Sequence, residues 1–123
     1  MPAVTVRTGA VSVSLPITRG DDISYPHGLY TSYTSETVNT PLPITGRTYS
    51  SSVSTARGGT VVVTPTVTVT DAVNGKILWS LTDTQTDLLT GPRYVWDLIE
   101  NAGTSSERTL IVGVLNVSGR ATP

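Results

Sequence analysis

The sequence predicts an all-β protein: an antiparallel β-sandwich, immunoglobulin-like or jelly-roll-like, of about seven strands with one short helical turn near 83–89. Three observations predict it. Thr and Ser make up more than a quarter of the 123 residues and Val is abundant, and β-branched side chains fit a pleated, half-buried surface. Apolar residues recur at every second position in several short stretches, the period of a strand with one face turned inward. Gly, Pro, Asn and Asp clusters interrupt those stretches often, and short strands so punctuated favour a sandwich.

Taken in order, residues 1–10 carry Val4 and Val6 between Pro2 and Gly9. This is a short strand at most and reads as an N-terminal arm, with residues 11–123 as a single sandwich domain. "AVSVSLPI" sets Val11, Val13, Leu15 and Ile17 on one face, a half-buried strand. "TRGDD" is a turn. The signal then weakens. "GLYTSYT" reads as a strand, and "NTPLPITG" as an extended edge segment, because its two prolines exclude a central strand. "RTYSSSVST" is a strand with Tyr49, Ser51 and Val53 on one face, and "ARGG" is a turn. "TVVVTPTVTVT" alternates around Pro65, which belongs at an edge or a bulge because it lacks an N–H. Asn74-Gly75 is hairpin chemistry, since both positions tolerate positive φ.

Thr82 followed three residues later by Gln85 is a capping box, and Asp83 suits the start of a helix. The expected helix spans Asp83 to Leu89, with Leu88 or Leu89 closing the sandwich end. The last two strands are Arg93–Glu100 and Arg108–Val117, joined by "NAGTSSE". A loop symmetric about Thr104 places Tyr94, Trp96 and Leu98 beside Val114, Val112 and Leu110. The opposite face then carries Val95, Asp97 and Ile99 beside Ile111, Gly113, Leu115 and Val117. The expected core is therefore Val13, Leu15, Tyr49, Val67, Leu81, Leu89, Tyr94, Trp96, Leu98, Leu110 and Val112.

Composition narrows the function. The chain has no cysteine, so neither a disulfide framework nor a thiolate metal site is available. Eight Lys and Arg stand against nine Asp and Glu, with no basic run, which removes the electrostatic footprint of nucleic-acid or anionic-membrane binding. No apolar stretch approaches the roughly 20 residues of a membrane span, and no signal-peptide layout opens the chain. Production in the cytoplasm is the corresponding expectation.

Titratable groups that converge are scarce. The sole histidine, His27, reads as an exposed turn residue. Asp21 and Asp22 are adjacent and diverge in a turn, so they serve to cap it. Arg19-Gly20-Asp21 spells an adhesion tripeptide and Asn116-Val117-Ser118 a glycosylation sequon; both read as chance. No catalytic residue, metal site or cofactor is expected. Trp96 is assigned to the core, while Trp79 shares its face with Ile77 and Leu81.

The informative feature is an acid among apolar neighbours. An unpaired buried carboxylate is costly. Asp97 is thus either solvated or paired at the rim with Arg108 or Arg120, or it sits on a face that a neighbour covers on assembly or that the N-terminal segment of the same chain covers instead. The candidate interface is Val4, Val6, Val95, Asp97, Ile99, Ile111 and Leu115.

Several landmarks in order carry a resemblance: Gly20-Asp21 after an alternating strand, "PITGRTY", "VTDAVNGK", "LTDTQTDLL", "GPRYVWDL" and "RTLIVGVLNV". Across most of residues 11–117 the chain resembles the N-terminal domain of bacteriophage baseplate upper proteins. The resemblance implies a small β-sandwich that acts as a structural adaptor in a tail or baseplate, usually with a C-terminal receptor-binding or fibre module. This sequence reaches Pro123 just after its last strand, so it resembles the adaptor domain alone, with residues 1–10 additional. The function expected is that of a virion structural protein without catalysis. Its expected partners are other virion proteins and copies of itself; nucleic acid and membrane are not among them. The alternatives are a capsid decoration protein and a small carbohydrate-binding sandwich using Trp79, Tyr30 or Tyr33 as stacking platforms.

Overall fold

The computed structural model describes residues 3–5 and 10–119. It is a sandwich of two mixed sheets. The strands are β1 (Ala3–Thr5), β2 (Ser14–Thr18), β3 (Ile23–Tyr33), β4 (Asn39–Pro41), β5 (Tyr49–Ser54), β6 (Val61–Val63), β7 (Thr66–Asp71), β8 (Lys76–Leu81), β9 (Arg93–Glu100) and β10 (Arg108–Ser118), with α1 (Asp83–Asp87) between β8 and β9. One sheet runs β1-β3-β8-β7 with β4 also on β3; the other runs β2-β10-β9-β5-β6. Among the described residues ten strands stand where about seven are expected. Two pairs, β1 with β3 and β2 with β10, are parallel, so the sheets are not purely antiparallel.

The expected N-terminal arm is corrected at its described part. Ala3–Thr5 is a strand of the first sheet, and Val4 is fully buried. Val6 lies outside the described residues. β3 is longer than its sequence suggests because Pro26 and Gly28, both poor strand formers, sit within it opposite Leu78 and Lys76 of β8. His27 is therefore not an exposed turn residue; it is 1% exposed in the middle of β3. The run read across Pro65 is two strands. Pro65 occupies the crossing from one sheet to the other, between β6 and β7, where no ladder hydrogen bond is lost. Gly75 closes the β7–β8 turn at φ 68°, and a Cβ there would meet the Leu42 and Leu29 carbonyl oxygens at 2.5 and 2.6 Å.

α1 forms as its capping box requires. Gln85 N–H donates to Thr82 Oγ1 at 3.2 Å, and Thr82 N–H donates to Gln85 Oε1 at 3.0 Å. The helix ends at Asp87; Leu89 beyond it is buried, while Leu88 is exposed. The turn after β2 clasps this helix. Gly20 N–H donates to Thr86 Oγ1, whose hydroxyl donates to the Asp21 carbonyl, and Asp22 Oδ1 accepts from Asp83 N–H.

Between the sheets the two tryptophans meet, ring centroids 5.3 Å apart. Trp79 is fully buried and donates to Ser51 Oγ at 2.9 Å; Ser51 in turn donates to the Asp97 carbonyl. Trp96 donates to the Val13 carbonyl at 3.0 Å across Gly113, where any Cβ would overlap that carbonyl and the indole nitrogen. Of the expected core, Leu15, Leu81, Leu89, Tyr94, Trp96, Leu98 and Leu110 are buried, and Val13, Tyr49 and Val67 pack half-buried against them.

Candidate functional site

Which residues reach the site is decided by one bulge. The β9–β10 ladder starts in the symmetric register, with Arg108 opposite Glu100 and Thr109 opposite Ile99, then shifts so that Ile111 faces Leu98. Leu110 is the extra residue. A side-chain period of two means that one inserted residue exchanges the faces of everything after it. Ile111, Gly113 and Leu115 therefore line up with Leu98, Trp96 and Tyr94 on the inner face. Ile111 and Leu115 are fully buried, so neither belongs to an interface. Val112 moves from the expected core to the outer face, opposite Asp97, and Val114 stands opposite Val95. Val4 likewise leaves the candidate interface for the core. Val95, Asp97 and Ile99 do sit on the outer face, each half-exposed.

The corrected outer face of the Trp96 sheet is a stripe of aliphatic residues framed by serines. One row crosses from Val61 through Ser54, Val95 and Val114 to Ser14; the next runs Ser52, Asp97, Val112; the third runs Ser50, Ile99, Thr109. Val61 is 51% exposed at its edge. A cleft of about 240 Å³ opens here, lined by Ser52, Ser54, Val95, Trp96, Asp97, Thr109 and Val112 and by Ala56, Arg57 and Gly58 of the β5–β6 loop.

Asp97 is the polar centre of this stripe. Its Oδ1 accepts from Ser52 N–H at 2.9 Å, its one side-chain hydrogen bond among the described residues. Of the expected rim partners, Arg108 pairs with Glu100 instead, and Arg120 lies outside the described residues. Burial raises the Asp97 carboxyl above the ordinary range, and the Ser52 N–H offsets part of that rise.

Glu100, which the sequence reading passed over, is the buried acid. It is 2% exposed and accepts from Tyr49 OH at 2.7 Å, from Arg108 Nε at 3.1 Å and from Arg47 Nη1 at 3.4 Å. Burial, then the hydrogen bond to Glu100, push the Tyr49 phenol far above its usual range. The signal was present in the chain: the Tyr94-Trp96-Leu98 phase, continued by two, lands on Glu100, and the symmetric loop sets Arg108 opposite it. Two arginines and a tyrosine around one carboxylate make a satisfied structural cluster at the sheet's end.

His27 is a second polar group inside the sandwich. Its Nδ1 lies 3.0 Å from the Tyr25 carbonyl, to which only an Nδ1–H can donate; among the described residues Nε2 then has no partner. The ring meets Trp96 edge-on at 5.7 Å. Burial lowers its pKa, so the imidazole is neutral. Among the described residues no three His, Asp or Glu side chains gather as a metal site, and no helix is long and apolar enough to cross a membrane. Of the stacking platforms expected of a carbohydrate site, two are taken up internally and Tyr33 is half-buried. Trp79 is fully buried, and Tyr30 is 5% exposed beneath Lys76 Nζ, 4.8 Å from its ring, and beside Tyr33.

Compared with known proteins, the chain matches no family model and no curated protein.

Proposed function

We propose that the chain is a bacteriophage virion structural protein, a tail, baseplate or fibre-adaptor component that works by protein–protein assembly and not by catalysis. The observation that carries this reading is the contrast between the two outer faces. On the Trp79 sheet the outward residues include Ser24, Ser80 and Thr66, then Pro26, Leu78 and Thr68, so that a single apolar pair, Pro26 and Leu78, lies among hydroxyl-bearing neighbours. On the Trp96 sheet five aliphatic residues, Val61, Val95, Ile99, Val112 and Val114, gather around one acid, framed by Ser14, Ser50, Ser52, Ser54 and Thr109. Contiguous apolar surface of this kind marks a contact with another protein. The ordered landmarks shared with baseplate upper proteins supply the virion setting.

Immunogold electron microscopy of particles released by the strain that encodes the chain tests it. Label at the tail end supports the adaptor. Label over the head moves the protein to the alternative, a capsid decoration protein, which would use the same face. Particles without label remove the reading.

A further inference from the structure

The cleft over Asp97 has the walls and floor of a socket for one basic side chain. Its volume of about 240 Å³ suits a single long side chain; sites for drug-sized ligands run to roughly 300–1,000 Å³. Val95 and Val112, which flank Asp97 in the lining, are apolar, and Ser52, Ser54 and Thr109 bring hydroxyls around them. Among the described residues Asp97 Oδ1 accepts one N–H and Oδ2 accepts none, although a carboxylate offers about four acceptor sites. Lysine and arginine match such a lining: their methylene stems lie along apolar surface and their heads make charge-assisted hydrogen bonds.

We propose that this cleft receives one lysine or arginine side chain of a partner protein, its stem against Val95 and Val112 and its head on Asp97 Oδ2. The proposal rests on the assembly reading, which supplies the partner. Two nearer occupants fit less well. Arg57 lines the cleft but is exposed, and among the described residues the ion pairs are those of Arg47 and Arg108 with Glu100. A second copy docked face to face would bring Asp97 against Asp97, like charges at short range. Asp97 thus disfavours self-pairing through this stripe and selects a partner that carries a cation.

The test titrates the isotopically labelled full chain with two capped tripeptides, one with arginine and one with glutamine between valines, followed by amide and carboxyl NMR shifts. The arginine peptide is expected to move the Ser52, Val95, Asp97 and Val112 amides and to lower the Asp97 titration midpoint. Binding should fall about tenfold or more with the glutamine peptide or in Asp97→Asn. Equal effects of both peptides overturn the cation socket and leave apolar docking standing; no effect of either overturns both. A rise of the Asp97 midpoint in Arg57→Ser, without peptide, makes Arg57 the occupant and also overturns the proposal.

Discussion

On the inner face of the Trp96 sheet, Glu100 is 2% exposed and accepts hydrogen bonds from Tyr49, Arg47 and Arg108. On the outer face, three residues earlier in the same strand, Asp97 is half-exposed and accepts one backbone N–H. This inner surface is finished: its tryptophan has an acceptor in the Val13 carbonyl, its Gly113 makes room for the indole, and its acid has cations. The outer surface has aliphatic neighbours around an acid with spare acceptor capacity. The contrast teaches that burial alone does not decide what an acid does in a sheet. The donors brought within reach decide whether it is structural or left available for a contact.

The most severe way to break the inner face is Gly113→Val. Its side chain would collide with the Val13 carbonyl and the Trp96 indole. We expect a loss of at least about 3 kcal/mol, or no folded protein, in urea unfolding. A folded variant of near wild-type stability would deny the close approach.

The register itself is sharpened by a pair. Ile111→Ala should cost about 2–5 kcal/mol, because Ile111 is fully buried. Val112→Ala, on the half-exposed face, should cost about 1 kcal/mol or less. The symmetric-loop register demands the reverse order, so unfolding midpoints of the two variants separate the registers.

Replacing the acids gives opposite signs. Glu100→Gln removes the charge that two arginines share and should lose about 1–3 kcal/mol, held down by the partly solvated guanidinium groups, which are 34% and 41% exposed. Asp97→Asn keeps an acceptor for Ser52 N–H. The folded pKa of Asp97 is raised, so its stabilising contribution is present below its unfolded value of 3.8 and is lost as pH rises through the folded value. At about pH 7 the Asn variant should therefore match or exceed wild type. Solvent screening keeps the gain to about 0.5 kcal/mol or less, and the difference should close at about pH 3. A destabilised Asn variant at neutral pH would mean that Asp97 has a partner cation within the chain.

His27 adds the smallest change near neutrality. Its folded pKa is lowered, so the unfolded chain takes up the proton first. Its contribution is complete above the unfolded value of 6.5 and is lost as pH falls below it. In wild type the urea midpoint should fall as pH drops from about 7.5 to 5.5, and in His27→Gln that slope should flatten. An unchanged slope would place the acid sensitivity elsewhere.

Much of this was legible in the chain. Val11, Val13, Leu15 and Ile17 repeat with the phase the structure uses, Ser51 and Val53 are buried with Tyr49 half-buried beside them, and Thr82 with Gln85 starts the helix. Those features rest on neighbours one to three residues apart, which any local reading captures. β3 was hidden because Pro26 and Gly28 oppose strand propensity, and only pairing to β8 overrules them. His27 was misplaced with it, since an isolated histidine carries no periodicity of its own. Glu100 was half-legible, by phase and by its opposite Arg108.

Alternation in the chain, read alone, decides that strands form, where most of them turn, and that the closing hairpin is apolar on both sides. It does not decide which apolar side goes in. Thr109, Leu110 and Ile111 accommodate either ladder equally well as a string of β-branched and aliphatic residues. The bulge at Leu110 emerges in the folded sheet, where Gly113 lies beneath the Trp96 indole and the Val13 carbonyl, and Ile111 meets Leu98. Packing between distant strands settles the register, and the register in turn leaves Val112 and Asp97 facing outward.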